Sequence, residues 1–165
     1  MRGNAKSIEK TGPPSPQPSP ASGRGGTLKT IPKRSSMANL TLEVLTETFA
    51  ICRLGADQPI PVWATGNVVA ITRTPNELSI VCPQAQVPAA IQCEPDWRCL
   101  RVADQLDFAM VGVIASLTRT LASANISVFV ISTFETDYLL VKEADLHAAV
   151  ESLTSDGHSI HDETR

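Results

Sequence analysis

The sequence predicts an α+β fold, in which antiparallel β-strands are covered by helices on one face, and two observations support this prediction. Residues 98–153 change between strand-like and helix-like periodicity in the order strand, helix, strand, strand, helix. Residues 40–82 carry mostly the period-two alternation of half-buried strands, interrupted by short segments rich in Gly, Pro and Asn. The chain therefore divides into a strand-rich first part and a mixed second part.

The composition limits the partners that the folded part can have. The chain has 165 residues, which suffices for one ordinary domain or two very small ones. Hydrophobic residues make up 42% and aromatic residues 4%, so the core must consist mainly of Val, Ile, Leu and Ala. Residues 1–36 carry a net charge of +6 and the remainder carries −9. Because an acidic surface repels a polyanion, we expect no nucleic-acid partner for the folded part.

The first 36 residues form a basic extension rich in Pro, Gly and Ser. Its segment 12–26 contains almost nothing apolar to bury, Pro removes backbone donors, and Gly increases the entropy of the unfolded chain. We therefore predict disorder for residues 1–36, with a basic arm for membranes or RNA as the alternative. The string Pro-Ser-Pro-Gln-Pro-Ser-Pro also resembles translated bacterial intergenic repeat DNA, which suggests a native start at Met37.

Residues 37–97 are predicted to form a first small unit made mostly of strands. Apolar side chains alternate over residues 40–51, which favours a hairpin-like pair of strands. A second hairpin is expected from 68–71 and 78–82, because the Thr-Pro-Asn-Glu segment between them has the residues of a turn. The Ala-rich segment 83–91 is consistent with a helix of two turns.

Residues 98–157 are predicted to form the second unit. After a strand that ends near Val102, the helical spacing of apolar residues over 111–124 predicts an amphipathic helix. Asn125 ends this helix, because Asn tolerates the left-handed conformation with which helices often close. The β-branched run 126–131 is typical of an inner strand.

A returning strand and a last helix complete the second unit. Residues 138–141 are the expected strand, and Asp145 opens a helix whose apolar residues recur at helical spacing. Polar residues follow from Ser155, and we expect the tail 158–165 to be frayed. This order of elements is the βαββα part of a ferredoxin-like fold, and the sequence predicts two tandem units of that kind.

The second unit resembles the ACT domain. Val-Gly-Val-Ile at residues 111–114 matches the turn that begins the first helix in that family. Ile-Ser-Thr-Phe-Glu-Thr-Asp at 131–137 matches the segment that joins the second and third strands. The chain looks most like the small two-unit ACT proteins of bacteria, which are similar to the cytosolic arginine sensors of animals. The resemblance covers residues 40–157 and is strongest over 98–150.

This resemblance implies a non-catalytic, cytoplasmic regulatory protein that binds a free amino acid and needs no cofactor and no membrane. In the family, the ligand lies where the helix-start loop of one ACT unit meets the strand-two segment of another, which implies an allosteric response and a possible homodimer or regulated protein partner. The candidate ligand-binding residues are Val111, Gly112, Val113, Ile114, Asn125, Ser132, Thr133, Phe134, Glu135, Thr136 and Asp137.

The chemistry of a free amino acid fits several of these residue types. Unsatisfied N–H groups at a helix start favour a carboxylate, and Gly112 lets the backbone approach closely. Glu135 and Asp137 could bind the ammonium group, while Thr133 and Asn125 offer neutral hydrogen bonds. The alternatives are that Gly112 serves only a tight turn, that Thr133 and Thr136 cap a turn, and that both acids are solvated.

Two other classes of function have weaker support in the sequence. An interaction module that dimerises by sheet pairing, with no ligand, is the main alternative. An enzyme would need an activated thiolate at Cys82, Cys93 or Cys99, and no neighbouring His or Lys marks one. No metal site is expected from His158 and His161, and no apolar run reaches the roughly 20 residues that cross a bilayer. The two tryptophans, Trp63 and Trp97, are expected to fill the core rather than to stack on a ligand.

Overall fold

The computed structural model describes residues 39–103 and 111–162, which form β-strands and two α-helices. The strands are β1 (Thr41–Leu54), β2 (Ala70–Arg73), β3 (Leu78–Pro83), β4 (Cys93–Val102), β5 (Val128–Ser132), β6 (Asp137–Lys142) and β7 (Ser159–Asp162). The α-helices are α1 (Val113–Ser123) and α2 (Leu146–Ser155), with 3-10 turns at Gln84–Gln86 and Glu143–Asp145. The predicted α+β class is confirmed, whereas the predicted disorder of residues 1–36 lies outside the described residues.

All seven strands of the described residues belong to one sheet, in which six follow the order β2-β3-β1-β4-β6-β5. The pairs are antiparallel except that β7 runs parallel to β1. On one edge, the first half of β1 pairs with β7 and its second half with β3, while β4 occupies the other edge. Residues of both predicted units, 37–97 and 98–157, therefore contribute to a single sheet.

The two α-helices pack on one face of the sheet, as the sequence predicted. Alternate residues of the strands point to this face because side chains of a strand alternate in direction, while residues three or four apart on a helix share a face. The resulting core contains Leu42, Val44, Leu100, Val102, Leu139 and Val141 from the strands and Leu117, Leu121, Ala149 and Leu153 from the helices. Each fully buried Leu contributes roughly 1.5–3 kcal/mol through removal of apolar surface from water.

Strand β1 is a single strand of 14 residues, so the hairpin predicted over 40–51 is wrong. The pairing of β1 with β4 shifts between Val44 and Thr48, where β1 carries three residues opposite the single Cys99. Such a bulge bends a strand without ending it. The Arg98 guanidinium donates a hydrogen bond to the Leu45 carbonyl at 3.1 Å, which satisfies a polar group that the bulge leaves out of the ladder. The break in alternation marks a bulge and not a turn.

The helix predicted over 83–91 is also wrong. Only Gln84–Gln86 forms a 3-10 turn, and Val87 has extended backbone with φ −81° and ψ 121°. The residue before a proline is driven away from helical geometry by the proline ring, and Pro88 follows Val87. The hairpin predicted from 68–82, in contrast, is confirmed by the pairing of β2 with β3.

Two further predictions in the second unit need correction. Strand β5 was expected inside the sheet but lies at its edge, with Phe129 more than one-third exposed. The tail was expected to fray, yet Ser159–Asp162 forms β7 beside β1. His158 explains this ordering, because its buried ring accepts a hydrogen bond at Nδ1 from the Leu40 N–H at 3.3 Å. The edge position of β5 could not be predicted in this way, because a short apolar run has the same pattern in an edge strand as in an inner strand.

Candidate functional site

The start of α1 carries three of the candidate residues, Gly112, Val113 and Ile114. Gly112 precedes the helix with φ 89° and ψ 7°, a left-handed conformation that glycine adopts without strain. Within the described residues, no side chain hydrogen-bonds to this cap, and the first turn of α1 contains no acidic residue. The first N–H groups of a helix lack partners within the helix, so these groups and the positive end of the helix dipole could hold an anion.

The turn between β5 and β6 is closed by its own threonines. The Thr133 N–H donates to the Thr136 carbonyl at 2.9 Å, and the Thr133 hydroxyl accepts the Thr136 N–H at 3.2 Å. The Thr136 hydroxyl in turn donates to the Val102 carbonyl at 2.6 Å. These contacts support the alternative in which both threonines shape the turn. Sequence reasoning missed the hydrogen bond from Thr136 to Val102, because every residue has a backbone carbonyl and the sequence does not show which one will accept.

The remaining residues of this turn differ in exposure. Phe134 is 80% exposed, and Ser132 and Glu135 are also exposed, whereas Asp137 is only 9% exposed. Asp137 lies at the start of β6, directly opposite Ser132 on β5. The turn therefore carries an exposed apolar ring at Phe134 and leads into a largely buried carboxyl group at Asp137.

The predicted site residues lie at different ends of α1. The Ile126 N–H donates to the Leu121 carbonyl, so α1 ends where the chain enters β5. The 11-residue helix is about 16 Å long, so Gly112 at its start lies well away from that point. Asn125 follows the other end of α1, with a left-handed φ of 59°. The structure therefore separates Asn125 from the candidates at the start of α1.

Other chemistry finds little support in the described part of the chain. Between residues 39 and 103 and between 111 and 162, no group of three or more His, Cys, Asp or Glu side chains is placed to hold a metal ion. No helix in these ranges is long and apolar enough to cross a membrane. Burial raises the pKa of the Cys99 thiol to about 12, which makes it a poor nucleophile at neutral pH.

The tryptophans lie within hydrophobic clusters, as a role in the core requires. Trp63 packs against the cluster formed by β1 and β3, and Trp97 is 8% exposed. The Lys142 ammonium lies 4.6 Å from the centre of the Trp97 ring, within the range of a cation–π contact.

A βαββα unit, with both helices on one face of the sheet and a glycine at the start of the first helix, is the arrangement expected of an ACT domain. A family model described as the ACT domain matches residues 92–155. A second model, describing an N-terminal domain, matches residues 47–90. The chain belongs to the ACT domain family, and the resemblance stated from the sequence is confirmed.

Similar proteins agree with this assignment. The chain is 37% identical to Atu0741 from Agrobacterium tumefaciens, whose structure matches 76% of this chain and 94% of that protein with a TM-score of 0.72. The regulatory subunit of aspartate kinase from Thermus thermophilus has a TM-score of 0.53 at 11% identity over 72% of this chain and 98% of that one, which shows a shared fold alone.

A curated relative matches a shorter segment. The human protein "Cytosolic arginine sensor for mTORC1 subunit 1" is 40% identical over 58 residues, which is 34% of this chain and 18% of that protein. The chain thus spans under a fifth of the length of the curated relatives that it matches. Together with the ACT match, this similarity supports a regulatory role for the chain.

Proposed function

We propose that this chain is a cytosolic, non-catalytic regulatory module that binds a free amino acid at the start of α1. The observation that carries the proposal is the left-handed Gly112, which starts the helix with no capping side chain in the described residues. The backbone N–H groups that follow, beginning with Val113 and Ile114, can bind the ligand's carboxylate, as helix N-termini bind anions in other proteins.

The turn between β5 and β6 supplies the second part of the proposed site. Asp137 is suited to the ligand's ammonium group, because a largely desolvated carboxylate binds a cation more strongly than an exposed one does. Glu135 is exposed and is the weaker candidate for this contact. The hydroxyls of Thr133 and Thr136 are engaged within the turn, so their role is to hold its shape.

A second copy of the chain would complete the site. Val111 and Phe134 are 90% and 80% exposed, although both are apolar. Burial of these two side chains against a second copy would remove apolar surface from water and so favour the paired arrangement. A ligand held between two copies would bind the paired arrangement more tightly than the separate one, and this difference in affinity is what allows regulation.

Thermal unfolding in the presence of each of the twenty amino acids tests this proposal. A ligand that binds only the native state at 100 times its Kd stabilises it by about 2.7 kcal/mol, so one or a few amino acids should raise Tm by several degrees. Absence of any shift at millimolar concentrations would contradict ligand binding.

Matched variants locate the site. Asp137→Asn should reduce the ligand-induced shift in Tm, because it removes the proposed partner of the ammonium group. Asn125→Ala is the control, because Asn125 follows the opposite end of α1 and is exposed. An equal loss in both variants would place the ligand elsewhere.

A dimerisation module without a ligand is the second candidate function. It is favoured by the position of β5, which pairs with β6 alone within the described residues and thus leaves one edge for another strand. Sedimentation analysis with and without amino acids separates the candidates. A dimer whose stability no amino acid changes would favour this second function.

A further inference from the structure

Three cysteines from three different strands meet in the part of the sheet that is distant in sequence from the candidate ligand site. Cys52 of β1, Cys82 of β3 and Cys93 of β4 lie in or against one hydrophobic cluster. The Cys52 thiol interacts with the thiols of both Cys82 and Cys93. All three are free thiols.

Cys52 and Cys93 have the backbone geometry of a cross-strand disulfide. They lie directly opposite each other in the antiparallel pair of β1 and β4. The Arg53 N–H donates to the Gln92 carbonyl at 3.0 Å, so the neighbouring pair is hydrogen-bonded and the Cys52–Cys93 pair is not. In such pairs the Cα atoms are about 4.5 Å apart, which lies within the range of disulfides. Cys82 faces Ala50 on β1, so it is diagonal to Cys52.

Accessibility assigns different roles to the two thiols. Cys93 is partly exposed, whereas Cys52 is 1% exposed. Burial, together with the neighbouring Cys82 and Cys93 thiols, raises the pKa of Cys52 to about 12. A small oxidant therefore meets Cys93 first, and Cys52 is placed to react with the product.

We propose that Cys93 and Cys52 form a modification site for hydroperoxides, in which Cys93 is the attacking thiol and Cys52 the resolving thiol. The Cys93 thiolate attacks one oxygen of H2O2, the O–O bond breaks, and Cys93 becomes a sulfenic acid while hydroxide leaves and is protonated to water. The Cys52 thiol, which is protonated until this step, then attacks the adjacent sulfenic sulfur; the S–O bond breaks, and the departing oxygen takes the Cys52 proton and leaves as water. Two thiols are thus oxidised to one disulfide and one peroxide is reduced to two waters.

The disulfide would change the stability of the chain. It would close a loop over residues 53–92, which contains the hairpin of β2 and β3. Cross-links of this length stabilise a fold mainly by restricting the unfolded chain. Disulfides that form inside a reducing compartment usually serve redox sensing, so a reversible link here would report peroxide.

Mass spectrometry of the full chain tests the proposal. The reduced protein is treated with a small excess of H2O2, denatured, alkylated with iodoacetamide and digested. We expect two of the four cysteines to escape alkylation, a peptide linking Cys52 to Cys93, and a rise in Tm of roughly 5 °C or more that dithiothreitol reverses.

Two variants make the outcome decisive. Cys93→Ser should abolish both the linked peptide and the rise in Tm, while Cys99→Ser, at a buried thiol in another cluster, should keep both. Circular dichroism of each reduced variant verifies that it folds, and Cys93→Ala replaces Cys93→Ser should the serine variant fail to fold. Four alkylated cysteines after oxidation, a sulfinic acid at Cys93, or a link through Cys82 would each overturn the proposal.

Discussion

The helix-covered part of the sheet (residues 93–162) and the hairpin part (residues 49–92) bury the same kind of residue in different ways. In the first, α1 and α2 cover a face rich in Leu and Val. In the second, no α-helix occurs, and the strand residues are covered by irregular segments that include Trp63, Val87 and Ile91. Irregular segments can therefore bury strand residues in place of a helix. Strand β1 connects the two parts, because it pairs with β3 of the hairpin part and with β4 of the helix-covered part.

Core substitutions in the two parts give the strongest test of this comparison. Leu121 of α1 and Leu78 of β3 are both 0% exposed. Each Leu→Ala change removes buried methyl groups and leaves a cavity, so we expect each to lower the free energy of unfolding by about 2–5 kcal/mol. Because β1 links the parts, chemical denaturation should show one transition, shifted in both variants.

The two tryptophans lie in different hydrophobic clusters and can serve as separate reporters. Trp97, kept in Trp63→Phe, packs with Phe49 and Val81 of the hairpin part and with Leu140 of the helix-covered part, whereas Trp63, kept in Trp97→Phe, packs against the β1 and β3 cluster of the hairpin part. Midpoints that move for one reporter and not the other would show that the parts unfold independently.

A glycine in the hairpin part should have the next largest effect. Gly66 has φ +139°, and a Cβ at this position would lie 2.5 Å from Cγ of Pro83, whose ring cannot move aside easily. We expect Gly66→Ala to destabilise the fold by about 2 kcal/mol through this clash and the unfavourable φ.

Gly55→Ala is the matched control in the same part. Its added Cβ would meet only Gln58, at an ordinary 3.7 Å. Thermal unfolding should place it within about 0.5 kcal/mol of the parent. An equal effect of both changes would show that Gly66 does not hold β3 in place.

One arginine in each part allows the same comparison with a smaller expected loss of stability: Arg98 lies in the helix-covered part and Arg53 in the hairpin part. The Arg98 side chain is 14% exposed, donates to the Leu45 carbonyl in the bulge of β1 and lies 3.7 Å from a Glu143 carboxylate oxygen. Arg53, which pairs with Glu77 at 3.1 Å, is 60% exposed. Arg98→Met should cost about 1–3 kcal/mol, because it leaves a carbonyl unsatisfied.

Arg53→Met should change stability by less than about 1 kcal/mol, as exposed ion pairs contribute little. Urea titrations of both variants measure the difference. A larger loss in the free energy of unfolding for Arg53→Met than for Arg98→Met would contradict this comparison.

The sequence predicted the helix-covered part better than the hairpin part, for a physical reason. The period of α1 and α2 and the turn between β5 and β6 are local features, and each was found. Whether the break in alternation after Val44 is a turn or a bulge depends on Arg98, 53 residues away in sequence, which no local pattern contains. The edge position of β5 and the pairing of β7 likewise depend on the order of strands.

Sequence reasoning reached the candidate site only through motifs. Gly112 and the segment 132–137 were proposed from the family likeness, and their role in binding a ligand stays a prediction. Asn125 has the expected left-handed backbone, but it follows the end of α1, whereas Gly112 precedes its start. The motif specified the types of these residues and did not specify the length of the helix that separates them. The pairing of Cys52 with Cys93 was invisible for the same reason, since it requires the register of β1 with β4.

Alkaline pH should lower the stability of the fold through the buried thiol of Cys99, which packs in the cluster that contains Trp97. Burial raises the pKa of Cys99 from its ordinary 9.0 to about 12 in the folded protein. Between these values the unfolded chain loses the thiol proton and the folded chain keeps it, so stability falls as pH rises, by up to about 1.4 kcal/mol per unit. Other groups titrate in this range, so the measured quantity is the slope of the free energy of unfolding against pH in the parent minus that in Cys99→Ala, with reductant present. Parallel slopes would mean that Cys99 ionises as readily in the folded chain as in the unfolded one.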